Sequence, residues 1–408
     1  MISVTSTARN DIPSLTSINV INWLASFATI IPFVIIPLYA RSLGATLFQA
    51  SIIIGTLFGV TSVTSVIMGA LSDIIGKRKP FIIMSMAGSA AVFLMIPFIG
   101  APLPLLLLMA VLGFISAGFQ PVVMGLVSEI STKAEKGKNL GLLNTTTSIG
   151  WALGSLLSGS IADLFNFAVA FYIGCVLAVL AVVLTIFSLR ETKSGGDLER
   201  NFGKIVVALK NRFLPRSGES SYLKEKGLKW FYITAFLRYS AYWGSFALLT
   251  IFFATLVSKT WIGILLMINM GLQGFLMTPI GALSDKYTGR KPIILFGLVG
   301  TSVVLSLYAF SYSLYLLIIA QTLNAFVFAC IYTGGSAFVA DISPPLKQNE
   351  AMGYLNSSIT FGAVTGTIIA GIMATIFGLR TMFLVLAILP IIGAVIVLLK
   401  VSETITTT

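Results

Sequence analysis

Residues 69–80 read GALSDIIGKRKP and residues 281–292 read GALSDKYTGRKP, so one phrase occurs twice at an offset of 212 in a chain of 408 residues. The same offset pairs Glu129 with Asp341, Gly141 with Gly353, Asn144 with Asn356, Gly150 with Gly362, Gly154 with Gly366, Gly159 with Gly371 and Glu191 with Glu403, with no gap between the first phrase and the last pair. Constant spacing over this distance marks a duplicated fold whose halves run in the same direction. Any architecture for this chain has to contain two similar units and present the phrase twice.

The medium in which those units fold follows from what surrounds the phrases. The chain is 57% hydrophobic and 10% charged, with mean hydropathy +0.98; a soluble globular protein carries about 25% charged residues. So apolar a chain cannot bury its side chains in water, and the bilayer becomes its solvent. A spanning helix needs about 20 mostly apolar residues. Twelve such stretches are predicted, at 15–40, 47–71, 79–99, 103–129, 139–163, 167–190, 228–256, 260–283, 292–311, 313–340, 350–376 and 380–400. The expected fold is an all-α membrane protein of twelve transmembrane helices in two pseudo-symmetric six-helix bundles, 1–192 and 228–408. They are joined by a polar cytoplasmic linker, 193–227. Within the linker Phe202, Ile205, Val206, Leu209 and Phe213 recur at helical spacing among Lys204, Lys210 and Arg212, the pattern of a short helix on the membrane surface. The first apolar stretch lacks a basic leader and a small-residue cleavage site, and reads as a retained span.

The net charge of +12 is a matter of topology. With both termini placed in the cytoplasm, 22 Lys and Arg fall inside, Arg41, Lys259 and Arg380 fall outside, and Arg238 lies within a span, as the positive-inside rule requires. Basic residues spread over short loops do not make the folded surface a nucleic acid needs. Cys175 and Cys330 lie in apolar spans of different halves and suggest no disulfide, metal or redox site. The chain has no His, the commonest metal ligand and neutral-pH proton carrier. No cofactor is expected, and with no nucleophile elbow or paired carboxylates the chain does not read as an enzyme.

The phrase resembles the signature loop of the major facilitator superfamily, G-x-L-x-D-x-x-G-R-[RK]. The first copy supplies Gly69, Leu71, Asp73, Gly76, Lys77 and Arg78; the second supplies Gly281, Leu283, Asp285, Gly289, Arg290 and Lys291, with one more residue between its Asp and its Gly. In that family the loop behaves as a latch between the halves, which the resemblance assigns here to Gly69, Asp73, Gly76, Arg78, Gly281, Asp285, Gly289 and Arg290. Physically, Gly69 and Gly281 permit close helix approach, Asp73 can meet a helix N-terminus or a cationic side chain, and Gly76 permits a tight reversal. Pure turn-making and topology is the rival role. The end of the first span, PFVIIPLYARSLG, is similar to that of twelve-span drug:proton antiporters. The chain departs from their pattern at Met109, where they carry Arg, and at Ser155, where they carry Pro.

In this fold the first, fourth, seventh and tenth spans line a central cavity. The first offers Asn19, Asn22, Ser26 and Thr29 on one stripe; the fourth, Ser116 and Gln120; the seventh, Thr234, Arg238, Tyr242, Trp243 and Ser245; the tenth, Gln321, Asn324, Tyr332 and Thr333. Other spans add Asn144, Trp151, Asn269, Gln273 and Asn356. Polar groups in lipid are costly unless they face protein or water; hydrogen bonding between helices is the alternative use of each. Arg238 either contacts substrate or snorkels to the inner interface. No acid sits mid-span, so Asp163, Glu129 and Asp341 are the candidates for a proton or counter-ion.

These readings describe a secondary transporter whose expected partners are a small molecule and the lipid bilayer, with protons as an optional coupling ion, acting as a monomer in the plasma membrane. Efflux of amphipathic, drug-like compounds by a multidrug antiporter is the leading reading. A permease or exchanger for a small organic anion contacting Arg238, and a receptor that binds without transporting, are the alternatives.

Overall fold

A computed structural model describes residues 14–132, 135–189, 227–286, 289–344 and 347–402, leaving the side chains of residues 285, 286 and 349 outside that description. Among the described residues the chain is helical, with no strand. The elements are α1 (Leu15–Ser42), α2 (Leu47–Ile75), α3 (Lys79–Met95), α4 (Pro102–Ser116), α5 (Phe119–Ile130), α6 (Lys136–Leu164), α7 (Phe167–Ser188), α8 (Leu228–Ala254), α9 (Lys259–Lys286), α10 (Lys291–Ala309), α11 (Leu314–Ile342) and α12 (Gln348–Lys400). Among the described residues nine helical stretches are long and apolar enough to cross a membrane; α4 and α5 together form one of them. The linker and its expected surface helix, with Glu191 and Glu403, lie outside the described residues.

Local chemistry sets the helix ends. Thr46 and Gln49 close a capping box at the start of α2, and Asn166 and Ser313 accept hydrogen bonds from backbone N–H groups at the starts of α7 and α11. Gly76, in the left-handed region at φ 70°, ends α2. The predicted span 103–129 is broken between α4 and α5 at residues 117–118, just before Pro121, whose ring disfavours a helical carbonyl four residues earlier. The 53 residues of α12 would make a rod of about 80 Å, far beyond a hydrocarbon core of about 30 Å. Gly378, at φ 85° and ψ 164°, breaks it into two arms, between the predicted spans 350–376 and 380–400.

The duplication extends to individual bonds. Arg78 donates to Ser72 and to Glu129; Arg290 donates to Ser284 (2.7 Å) and to Asp341 (2.9 Å). Lys79 Nζ donates to the carbonyls of Ile186 and Leu189 at the end of α7, and Lys291 Nζ to those of Leu398 and Val401 at the end of α12. Every partner shifts by 212. The first helix of the second half carries a one-residue slip. A Cβ on Gly150 would meet Trp23 O and Phe27 N, and one on Gly362 would meet Phe236 O and Ser240 N; Gly154 stands against Phe27 O and Gly366 against Ser240 O. Along α1 and α8 the offset is therefore 213, which puts Arg238 where the first half has Ala25.

The apolar packing has a fork in it. At the end of the molecule opposite the repeated loops (the far end), one continuous cluster joins both halves, from Ile35 and Phe171 to Phe252 and Phe383. Toward the loop end the packing separates by half. One cluster, including Ile21, Met86 and Phe119, belongs to the first half; a larger one including Phe231, Leu298 and Phe338 and a small one of Ile280, Ala329 and Cys330 belong to the second.

The glycine contacts make a direct prediction. A Cβ on Gly366 would lie 2.0 Å from Ser240 O, whereas one on Gly353 meets nothing within 4 Å. Gly366→Val forces α12 off α8 and destabilises the detergent-solubilised protein by about 1–3 kcal/mol or more. Gly353→Ala is neutral or gains up to about 1 kcal/mol through helix propensity. Equal thermal unfolding midpoints for the two variants would refute this packing.

Candidate functional site

At the far end the halves approach closely. A Cβ on Gly159 (α6) would lie 2.2 Å from Lys259 O, and one on Gly263 (α9) 2.5 Å from Ser155 O; Gly55 (α2) faces Thr367 (α12), and Gly371 (α12) faces Ser51 and Phe48. Phe33 stacks on Phe246 and Phe58 packs against Trp243 at 4.5 Å between ring centroids. Asp163 adds a polar clasp: its Oδ2 accepts from Thr260 Oγ1 (2.7 Å) and Thr260 N (3.3 Å). The carboxylate thus sits on the N-terminus of α9, where the helix dipole favours a negative charge. Lys259 Nζ donates to Ala162 O at 3.0 Å and stands 4.7 Å from the Phe167 ring centre. All these contacts lie between the middle of the helices and the far end.

Toward the loop end, Gln120, Arg238 and Tyr332 each sit ten residues from the loop end of their helices. At 1.5 Å per residue this is a depth of about 15 Å, close to the middle of the hydrocarbon core. Gln120 is half-buried, while Asn144, Trp151, Tyr332 and Asn356 are exposed.

The first-span stripe is occupied with its own half. Asn22 Nδ2 donates to Leu143 O (3.0 Å), Thr146 Oγ1 (2.9 Å) and Thr147 Oγ1 (2.8 Å), and Asn19 accepts from Thr146 while donating to Leu15 O. Ser26 packs where Gly150 lets α6 close on α1, and Thr29 bonds back to Ala25 O. These side chains fasten α1 to α6. In the second half, Asn269 donates to Gln321 O (3.1 Å) and accepts from Gln273 (2.7 Å). Gln321 is fully buried and neither side-chain polar atom has a hydrogen-bond partner among the described residues; buried Asn324 lies one helical turn further along α11.

Arg238 does not snorkel: it is 0% exposed. Its Cζ stands 4.6 Å from the ring centres of Tyr239 and Tyr242 and 5.2 Å from that of Phe328. Trp243 is edge-on to Tyr242. Tyr239 and Phe328 were no part of the sequence reading. Tyr239 was recoverable as the neighbour of Arg238, whereas Phe328 comes from another helix with no local signal.

The loop residues form compact ion pairs. Arg78 meets Asp73 (2.8 Å), Glu129 and Ser72, all within the first half. Burial pulls its guanidinium pKa down, but hydrogen bonds and charge from Glu129 and Asp73 outweigh that and raise it above the ordinary arginine value. Gly69 brings α2 within van der Waals reach of Pro121 on α5, while Gly281 has open space around it. Arg290 repeats the Arg78 arrangement with Ser284 and Asp341. The Asp285 side chain lies outside the described residues, and Gly289 follows two residues that do. Glu129 and Asp341 thus serve the loop arginines, and Asp163 serves the far-end clasp.

A family model described as the Major Facilitator Superfamily matches residues 18–257 and 231–407. An uncharacterized MFS-type transporter of Methanocaldococcus jannaschii is 26% identical over 93% of this chain and 97% of its own length. A multi-drug resistance efflux pump PmrA homolog of Lactococcus lactis is 27% identical over 86% of this chain and 85% of its own. Multidrug resistance protein MdtG of Dickeya zeae is 26% identical, covering 91% and 89% respectively. Among solved structures, a bacterial homolog of the human lysosomal transporter Spinster, in an inward-facing and occupied conformation, superposes with TM-score 0.78 at 13% identity, covering 95% of this chain and 96% of that one.

The clasp predicts that Asp163→Ala loosens the far-end contact. In a background with Cys175 and Cys330 replaced, a cysteine introduced at Ser155, which touches Met270 at 3.4 Å, reacts severalfold faster with a membrane-impermeant maleimide once Asp163 is removed. Unchanged labelling would take Asp163 out of the clasp.

Proposed function

The chain belongs to the Major Facilitator Superfamily, a family of membrane transporters and not of enzymes, and from that premise we propose that it exports amphipathic, drug-like small molecules by alternating access. The observation that carries this reading is the forked core: one cluster at the far end shared by both halves, and at the loop end clusters that each stay within one half. A molecule held together at one face and divided at the other offers a cleft to solute from the loop side. Rocking the two halves about the joined region would close that side and open the other.

In this reading the loop end is cytoplasmic, because the basic loops gather there. Helices α6 and α8 and both arms of α12 count as spans, giving twelve, in bundles 1–192 and 228–408, with both termini in the cytoplasm of the plasma membrane. The transporter acts as a monomer. The relatives described as multidrug efflux pumps support export of amphipathic compounds, as does the chain of aromatic contacts from Phe58 through Trp243 and Tyr242 to Phe328 at mid-depth. Glycine contacts that spare side-chain bulk at the joined end suit an interface that parts and re-forms.

Protons are the proposed coupling ion. Glu129, Asp341 and Asp163 all hold partners, so a driving proton has to displace one of these contacts as it binds. Asp163 is the strongest of the three, because losing its contact with Thr260 would directly loosen the joined end.

Flux into proteoliposomes against a panel of amphipathic cations, neutrals and anions tests the reading. Accumulation of at least one amphipathic solute is expected, accelerated by an imposed pH gradient in the wild type and not in Asp163→Asn. Binding of solutes with no flux under any gradient would replace the transporter with a receptor; flux indifferent to pH would remove the proton.

A further inference from the structure

The buried guanidinium of Arg238 is only half satisfied. Three aromatic rings surround it, yet Nε and both terminal nitrogens have no hydrogen-bond partner among the described residues. Cation–π contact favours the charge electrostatically. It gives none of the five N–H donors a lone-pair acceptor, so the rings help to account for the burial of the charge and leave its hydrogen bonds unmade. Arginine does not lose its proton in proteins, so the group stays cationic and in want of an acceptor.

The fold does not require this charge. The equivalent place in the first half is Ala25, which is 1% exposed and packs without a polar group. Arginine at this one position of a duplicated architecture is an addition to the frame.

Beside Arg238 lies a cavity of about 20 Å³, bordered by Thr234, Tyr239, Tyr332 and Ser336. That is room for about one water-sized group, and among the described residues no carboxylate borders it. Tyr332 stands at its edge and is 42% exposed. The pocket therefore takes the head of a ligand and not its body, and the body has to extend past Tyr332 toward the divide between the two halves at the loop end. Thr234 and Ser336 supply hydroxyls beside the guanidinium.

We propose that the Arg238 pocket is a subsite for the anionic headgroup of an amphipathic substrate, a carboxylate in the first instance, whose apolar body lies in the cleft. This rests on the reading of that cleft as the substrate path, and it names the class of substrate: amphipathic anions, preferred over their neutral and cationic counterparts. A free small anion shares the chemistry of the headgroup, and the test separates the two.

Equilibrium binding of 1-naphthoate, 1-naphthalenemethanol and 1-naphthalenemethylamine to the full chain in detergent compares three heads on one body. The anion is expected to bind about tenfold or more tightly than the neutral compound, the gain typical of a charge-assisted hydrogen bond. That preference vanishes in Arg238→Gln, where 1-naphthoate loses about tenfold or more affinity relative to 1-naphthalenemethanol. Arg238→Lys keeps the charge, loses the planar fork and retains part of the preference. Equal wild-type affinity for the three compounds, or a preference that survives Arg238→Gln, overturns the proposal. Should neither variant fold, the wild-type ranking still decides. Replacing gluconate with chloride separates the sources: if chloride binds and 1-naphthoate gains nothing over the neutral compound, the pocket holds a free inorganic anion and the headgroup assignment falls. Vesicle flux of a neutral amphipath keeps the outcomes apart. Flux without anion preference sinks this subsite and spares the transporter; Arg238-dependent binding without flux does the reverse.

Discussion

Inside a bilayer an apolar side chain gains little by leaving lipid for protein, so helices that must stay together need close backbone approach or polar bonds between them. Glycine supplies the approach here. Gly150 and Gly154 press α6 onto the backbone of α1, and Gly362 and Gly366 do the same for α12 on α8. The polar bonds come on top: Asn22 spans the α1–α6 seam with three hydrogen bonds. Between the halves the method is the same, with Gly159 and Gly263 back to back and Gly55 and Gly371 on the other flank. The α1–α6 seam adds buried asparagine bonds, whereas the seam between halves adds the shared apolar cluster, aromatic pairs and the Asp163 clasp. Among the described residues the seam between halves is confined to the middle and the far end, which leaves the loop ends of the two halves free of it.

The repeated loop reads differently once its bonds are known. Asp73 and Glu129 flank Arg78, and Asp341 meets Arg290, so each loop arginine gathers acids from its own half. These pairs first of all brace the corner where the second helix turns into the third. Any role across the halves is built on that brace.

The sequence carried the frame well because duplication and hydrophobic length are one-dimensional signals. The offset of 212 paired Glu129 with Asp341, and the two do occupy matching places, on Arg78 and Arg290, although the contacts themselves were not legible in the sequence; the gap between stretches 350–376 and 380–400 fell on Gly378. Orientation was harder. Asn19 and Asn22 stand on a polar stripe whether they face a cavity or α6, and only the partners on α6 decide. Arg238 near the loop side of its helix fits both snorkelling and burial; the direction of the side chain, set by Tyr242 on its own helix and Phe328 on another, chooses burial. The one-residue slip of α8 was invisible because the paired identities begin only at Gly69. The Asp163–Thr260 contact joins opposite halves across 97 positions, beyond the reach of any local pattern.

Lys79 and Lys291 have a consequence of their own. Each reaches from the start of a half's third helix to the carbonyls that close its last one, so the ring of helices in each half is buckled shut by its own side chain. A buckled ring keeps its registry without help from the peptide that leads to its twin. The covalent join is then dispensable for assembly, and two separately translated polypeptides, cut in the polar segment, would meet in the membrane as the same complementary surfaces.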